Sequence, residues 1–246
     1  MDYKVSVLVF SYPGIGKTTL LATAGEDERT FPCLFLDFEA HTLPIMRKII
    51  PTNLDDVLNN AVILSDEQMG KVHSVRIRKW EEFEKIVDLL ERGEYPWKSV
   101  CVDSLSEINW LNLRNICTTQ GKNRVTDNDP AQLEHYARSN VQVLRLVRRF
   151  RDILPHVFFS CHVREDKDEC TGIIHLKANL VGQLSGQVGY LINCLGYYFA
   201  DRDSKRILSF CPTHKVVAKD GTAGGRLIEP IEDPTISKIL ERIEGR

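Results

Sequence analysis

No apolar run in this sequence reaches the roughly 18 residues that a bilayer-spanning helix needs, and the start, MDYKVSV, has no basic segment leading into a long hydrophobic stretch. Neither a membrane anchor nor a secretory leader is expected on that ground, and the cytoplasm is the expected location. Charge of one sign is not in excess either: 32 Lys and Arg face 34 Asp and Glu, for a formal net charge of −2. Any contact with a polyanion must then come from a local basic patch, because the overall field attracts none. The seven cysteines form no C-x-x-C pair and are odd in number, and several lie in apolar runs where the thiol behaves as a small hydrophobe. A reducing compartment fits that usage. Cys161, His162, Cys170 and His175 lack zinc-ligand spacing, and no G-x-S-x-G elbow is present for Ser-His-Asp chemistry. No repeat or low-complexity tract is evident.

What is present is enough chain for a full core: 246 residues suit one α/β domain with a core over about residues 4–225 and a C-terminal helix over about 233–245. The most informative stretch is SYPGIGKTT, Ser11 to Thr19, between the apolar run KVSVLVF and the segment LLATAG. A buried strand, a glycine-bearing turn and a helix start in that order are the setting of a phosphate-binding loop. A turn over Ser11, Tyr12, Pro13, Gly14, Ile15 and Gly16 can point its backbone N–H groups, which Pro13 alone lacks, into one concavity, and the helix opening at Lys17, Thr18 and Thr19 adds its positive end. Lys17 is placed to reach the outer phosphates and the Thr18 hydroxyl to ligate magnesium. Ser11 stands where the consensus has glycine.

Further along, FPCLFLDFEAH reads as a core strand with Asp37 and Glu39 at its C-terminal end, where ligands bind in open parallel sheets. Residues 42–70 read only as short helices and loop, broken by Pro44 and Pro51. HSVRI is an expected strand, and Trp80, Phe83, Ile86, Val87 and Leu90 mark one face of a helix that Gly93 stops. Ser99 to Val102 forms a strand that meets Asp103 and Ser104, with a helix from Leu105 to Cys117, a polar loop, and a long arginine-bearing helix from Ala131 to Leu154. The strand HVFFSCHV ends at His162 and is followed by the polar loop REDKDECTG, an edge strand in GIIHLKANL and a helix in SGQVGYLINC. LGYYFAD, KRILSF and KVVAKD read as strands and TISKILERIEG as a final helix. Strands alternating with helices through the first two-thirds predict a mainly parallel sheet with right-handed crossovers.

Hydrolysis at a phosphate loop needs a metal partner and a group that handles water. Asp103, closing the apolar strand VCVD, is the candidate metal partner, with Ser104 free to cap the next helix. Glu39 is the candidate for polarising water; Asp37 is the other contender, and the sequence separates the two poorly. His162 sits where a strand-end side chain can sense the outer phosphate.

Taken in order, SYPGIGKTT, LDFEAH, CVDSLSEI and FFSCH resemble the RecA-like ATPase core, above all the short core-only forms of bacteriophages, some of which are single-strand annealing recombinases. The resemblance implies a three-layer P-loop fold with a C-terminal antiparallel extension, with ATP and Mg2+ as cofactors. It implies water activation by Glu39, an Asp-Ser signature at Asp103 and Ser104, and γ-phosphate sensing by His162. It implies DNA contacts in the loops Gly121 to Asn128 and Arg164 to Lys177, hence Lys122, Arg124, Arg164, Lys167 and Lys177. Lys219 in VVAKDG resembles a lysine that reaches the ATP of a neighbouring subunit in rings and filaments. The implied partners are single-stranded DNA, further copies of the chain and a single-stranded-DNA-binding protein, in a host cytoplasm and away from membranes. Two other functions fit the same residues: an assembly protein switched by ATP with little turnover, and a small-molecule phosphotransferase using the arginines at 145 to 151.

Overall fold

The computed structural model describes residues 3–40, 43–93, 95–119, 131–153, 156–181 and 184–245. The first strand, β1 (Val5–Ser11), is followed by α1 (Lys17–Ala22), which runs on into a 3-10 turn. Next come β2 (Cys33–Asp37), β3 (Ile49–Pro51), α2 (Leu54–Leu58), β4 (Val72–Arg76), α3 (Trp80–Glu91), β5 (Ser99–Asp103) and α4 (Leu105–Thr119). The second half holds α5 (Leu133–Ile153), β6 (His156–Lys167), β7 (Ile174–Ala178), α6 (Leu184–Leu191), β8 (Cys194–Ala200), β9 (Arg206–Ser209), β10 (Ile231–Glu232) and α7 (Ile236–Glu244).

The sheet runs β10-β9-β8-β1-β6-β5-β2-β4-β3, with β7 beside the projecting end of β6. From β8 to β3 every neighbouring pair is parallel, and β9 and β10 add an antiparallel extension at one edge. β1 is buried along its whole length, which is why it reads as one continuous apolar run. Its side chains alternate between two cores. Leu8 and Phe10 pack with Phe83, Val143, Phe150 and Phe159 on one face, and Val5, Val7 and Val9 with Leu20, Leu21, Ile239 and Leu240 on the other. Helices α3 to α6 therefore cover one side of the sheet and α1 and α7 the other, giving three layers.

The predicted face of α3 is buried at all five positions, and Gly93, with φ +72°, follows the helix in the left-handed conformation that ends it. Three expectations need correction. The stretch 42–70 holds a strand, β3, whose three residues carry too short a pattern to read. The polar segment after His162 is not a loop: Arg164 to Lys167 continue β6 and pair antiparallel with β7, so that only about 168–173 turn. KVVAKD is not a strand; it makes two isolated bridges, Leu176 with Val216 and Leu195 with Lys219. Among the described residues no helix is long and apolar enough to cross a membrane.

Register brings the polar strand ends to one edge. Ser11 lies opposite His162, and Asp37 opposite Asp103.

Candidate functional site: the loop after the first strand and the strand ends beside it

Residues 12–16 carry the chain from β1 into α1, and two of them need glycine. Gly14 has φ +80° and Gly16 φ +112° with ψ 29°, in the region that side chains with a Cβ rarely occupy. Ser11 does not. It is the last residue of β1, fully buried and in register with His162, so its backbone is extended and open to any residue. That removes the significance of its departure from the consensus glycine.

Lys17 opens α1 and is only 7 % exposed. Its ammonium bends back over the loop, 3.3 Å from Ser11 Oγ and 3.5 Å from the carbonyl oxygens of Ser11 and Tyr12. Those contacts are long for a charged donor, which prefers about 2.7–2.9 Å to an anionic oxygen. Burial pushes the Lys17 pKa down, against the charges of Glu39 and Asp103. A buried cation with only weak partners fits an anion seated in the loop.

Asp103 is 1 % exposed and accepts from the Thr18 hydroxyl at 2.7 Å and from the Ser160 hydroxyl. Burial pushes its pKa up, the Ser160 bond opposes that, and the charge of Glu39 adds to it. The peptide bond between Asp103 and Ser104 is cis. Capping of α4 falls to Ser104, whose carbonyl accepts from Ile108 N at 3.1 Å and whose hydroxyl is 3.5 Å from Glu107 N. The Asp103 carboxylate meets α1 at the Thr18 hydroxyl. A hydroxyl and a carboxylate side by side at the start of the loop helix are an oxygen pair suited to Mg2+, which takes one or two protein ligands and completes its shell from phosphate and water.

Asp37 and Glu39 separate clearly. Asp37 Oδ1 accepts from the backbone N–H groups of Glu39 (3.0 Å) and Ala40 (2.8 Å) and from Arg76 Nη1 (3.0 Å). It builds the turn after β2 and is held from β4. Because the strand ends at Asp37, strand alternation does not govern Glu39. Glu39 instead turns to His162, with Nε2 to Oε1 at 3.0 Å. Burial raises the Glu39 pKa, but hydrogen bonds from His162 and Ser104 and the charges of His162 and Lys17 outweigh it and hold the carboxyl at about 2. With the carboxylate gone, Arg76 and two amides lose their acceptor, so Asp37→Ala is expected to lower stability by about 1–3 kcal/mol. Urea denaturation measures that loss, and an unchanged midpoint would remove Asp37 from the turn's support.

His162 is anchored by its own backbone: its N–H donates to Ser106 Oγ at 3.1 Å and its carbonyl accepts from Asn179 N at 2.7 Å. Lys219 lies elsewhere. It pairs with Leu195, level with Leu8 in the middle of β1, and its ammonium donates to the carbonyls of Gly189 (3.1 Å) and Ile192 (2.7 Å) at the end of α6. The structure thus gives this ammonium partners within its own chain. Arg164, Lys167 and Lys177 lie on the β6–β7 hairpin, where Asp166 pairs with both Arg164 and Lys177 and Glu165, Asp168 and Glu169 intervene. Lys122 and Arg124, with the rest of 121–128, lie outside the described residues.

Several neighbours of the loop carried no sequence signal. Ser160 reaches Asp103 from the strand inserted between β1 and β5. Arg206 comes in from the antiparallel extension, with Nη1 3.4 Å from where a Cβ on Gly16 would stand and the Tyr198 hydroxyl at 3.7 Å. The Tyr12 hydroxyl donates to Glu165, tying the loop to the hairpin. Only Ser160 was within reach of inference, two residues before His162 on the same strand face.

A parallel sheet with helices on both faces, a glycine loop between its central strand and a helix, and a threonine–aspartate pair beside it define a P-loop nucleoside-triphosphatase type of fold. The chain belongs to the AAA domain family, which matches it over residues 3–222. No curated protein matches it. Family and site together make it a nucleotide-binding domain of the ATPase type.

Proposed function

We propose that this is a RecA-like ATPase, carried in one domain, that binds Mg-ATP, hydrolyses it slowly by itself and acts on single-stranded DNA as a homo-oligomer, in the manner of phage recombination and annealing proteins. One observation carries the ATPase part: the Glu39 carboxylate, held ionised at about 2, is hydrogen-bonded to His162 beside the buried Lys17 and the Thr18–Asp103 pair. The order of motifs that resembles the RecA-like core supports the DNA part.

The loop amides and Lys17 hold the phosphates, and Thr18 and Asp103 hold the magnesium. When bound, Mg2+ neutralises phosphate charge. Glu39 orients the attacking water; at so low a pKa it is a weak base, so its main work is positioning and late acceptance of the proton. His162 joins Glu39 to β6, and through its backbone bonds to Ser106 and Asn179 it joins α4 and the segment after β7. Movement of the Glu39–His162 pair can therefore be passed to both.

Two of the four arginines that the phosphotransferase alternative would use already have partners. Arg149 is occupied by Asp88 and Glu91 and Arg151 by Asp152, on the helix α5. ATPase rates with and without single-stranded DNA test the proposal. Stimulation several-fold or more is the expected result; a rate indifferent to DNA in a protein that still assembles with ATP would replace the motor with an ATP-operated assembly switch.

A further inference from the structure

Beside the Glu39–His162 pair the surface opens into a cleft of about 440 Å3. Its far walls carry Arg76 and Arg78 at the end of β4, and Trp110 and Arg114 one turn apart on α4. Arg76 is committed to Asp37. Arg78 and Arg114 are exposed and make no ion pair among the described residues. Trp110 is 48 % exposed, whereas Trp80 and Trp97 are 5 % and 4 % exposed in the core. One carboxylate besides Glu39, that of Glu107, lies in the wall.

Two uncommitted guanidiniums and a half-bare indole around one open groove match a specific chemistry. Arginine forks bind phosphate oxygens, and an aromatic face stacks on an unpaired base. A duplex keeps its bases stacked on one another and leaves the indole unused. An acidic peptide would satisfy the arginines but give the indole no planar partner. The β6–β7 hairpin, by contrast, has Arg164 and Lys177 neutralised by Asp166.

We infer that this cleft binds single-stranded DNA, with Arg78 and Arg114 on backbone phosphates and Trp110 stacked on a base. Glu39 and His162 form the cleft's inner wall, so a bound strand touches the pair that adjoins the phosphate loop. The single-strand chemistry is read from the cleft itself; the choice of DNA and the coupling of occupancy to turnover rest on the function proposed above.

The test is titration with oligodeoxythymidylate, with and without ATP, following tryptophan emission and the anisotropy of a labelled strand. The native protein is expected to show quenching, because Trp110 is the exposed indole among the three tryptophans. Arg78→Ala/Arg114→Ala should weaken binding about tenfold or more and, having lost two phosphate contacts, flatten the salt slope by about 1.4. Trp110→Ala should weaken it by a similar factor and Trp110→Phe recover most of the loss. ATP affinity and circular dichroism of the arginine variant should match the native protein. Native-like DNA affinity in that variant, or no DNA binding by the native protein in either condition, overturns the assignment. So does a matching loss of ATP affinity, which would place the arginines' effect at the nucleotide site. Polyglutamate competing as well as DNA at equal charge would make the cleft a peptide site, and a change of oligomeric state in the variant without DNA would make it a subunit contact; either result overturns it. A native protein that binds DNA through the cleft yet never hydrolyses ATP would instead overturn the ATPase function and leave the cleft assigned.

Discussion

Lys17→Ala is expected to abolish measurable ATP binding while the protein stays folded. The two halves of that result have separate physical origins. Folding survives because the ammonium contributes little to it: its partners lie at 3.3–3.5 Å, and burial already works against its charge, as the lowered pKa records. Removing a poorly paired buried cation also removes a desolvation cost. Binding fails because the phosphates would lose the buried Lys17 cation at the loop. Truncating one partner of a buried charge pair costs about 2–5 kcal/mol, or about 30- to 5,000-fold in affinity. Titration with a fluorescent ATP analogue, beside a thermal melt, measures both. A folded variant with native affinity would take the nucleotide away from this loop.

The second large effect is at Glu39. Glu39→Gln should bind ATP as the native protein does and lose turnover by about 10²- to 10⁴-fold, the range for a positioned acid–base group. Glutamine keeps the shape and still accepts the hydrogen bond from His162, so binding is spared and the negative charge alone is lost. Single-turnover hydrolysis separates the two steps, and an undiminished rate would move the role to another group. The pH behaviour follows from the same residue. Its folded pKa, about 2, lies below the ordinary 4.5, so the stability it lends is complete above 4.5 and is lost as pH falls through about 2. The free enzyme's kcat/KM should then show no acid limb from Glu39 at pH 4 or above. Bound phosphates and magnesium bring opposite charges beside it, so the profile of kcat/KM, which reports the free enzyme, is the one that reads this pKa.

Much of the fold was legible because its signals are local. The parallel strands β1, β2 and β5 are buried along their whole length and leave mainly apolar runs, and α3 leaves a five-residue stripe closed by Gly93. Where signals are short or context-dependent, reading failed. β3 has three residues and a proline. Arg164 to Lys167 are polar because they project beyond the sheet, and only pairing with β7 makes them strand. KVVAKD has the composition of a strand but finds only one bridge at each end.

The sequence by itself determined the phosphate loop, since a strand, two glycines needing positive φ, and Lys-Thr at a helix start are consecutive and need no distant partner. It likewise determined that Asp103 closes a core strand. Tertiary structure alone gave Asp37 and Glu39 different partners: Arg76, 39 residues away in sequence, bonds Asp37 in the turn, and His162 from β6 bonds Glu39. It decided also that Lys219 binds the end of α6, and that Arg78, Trp110 and Arg114 share one cleft. Those outcomes depend on which strands are neighbours, and strand order is set by the packing of the whole sheet.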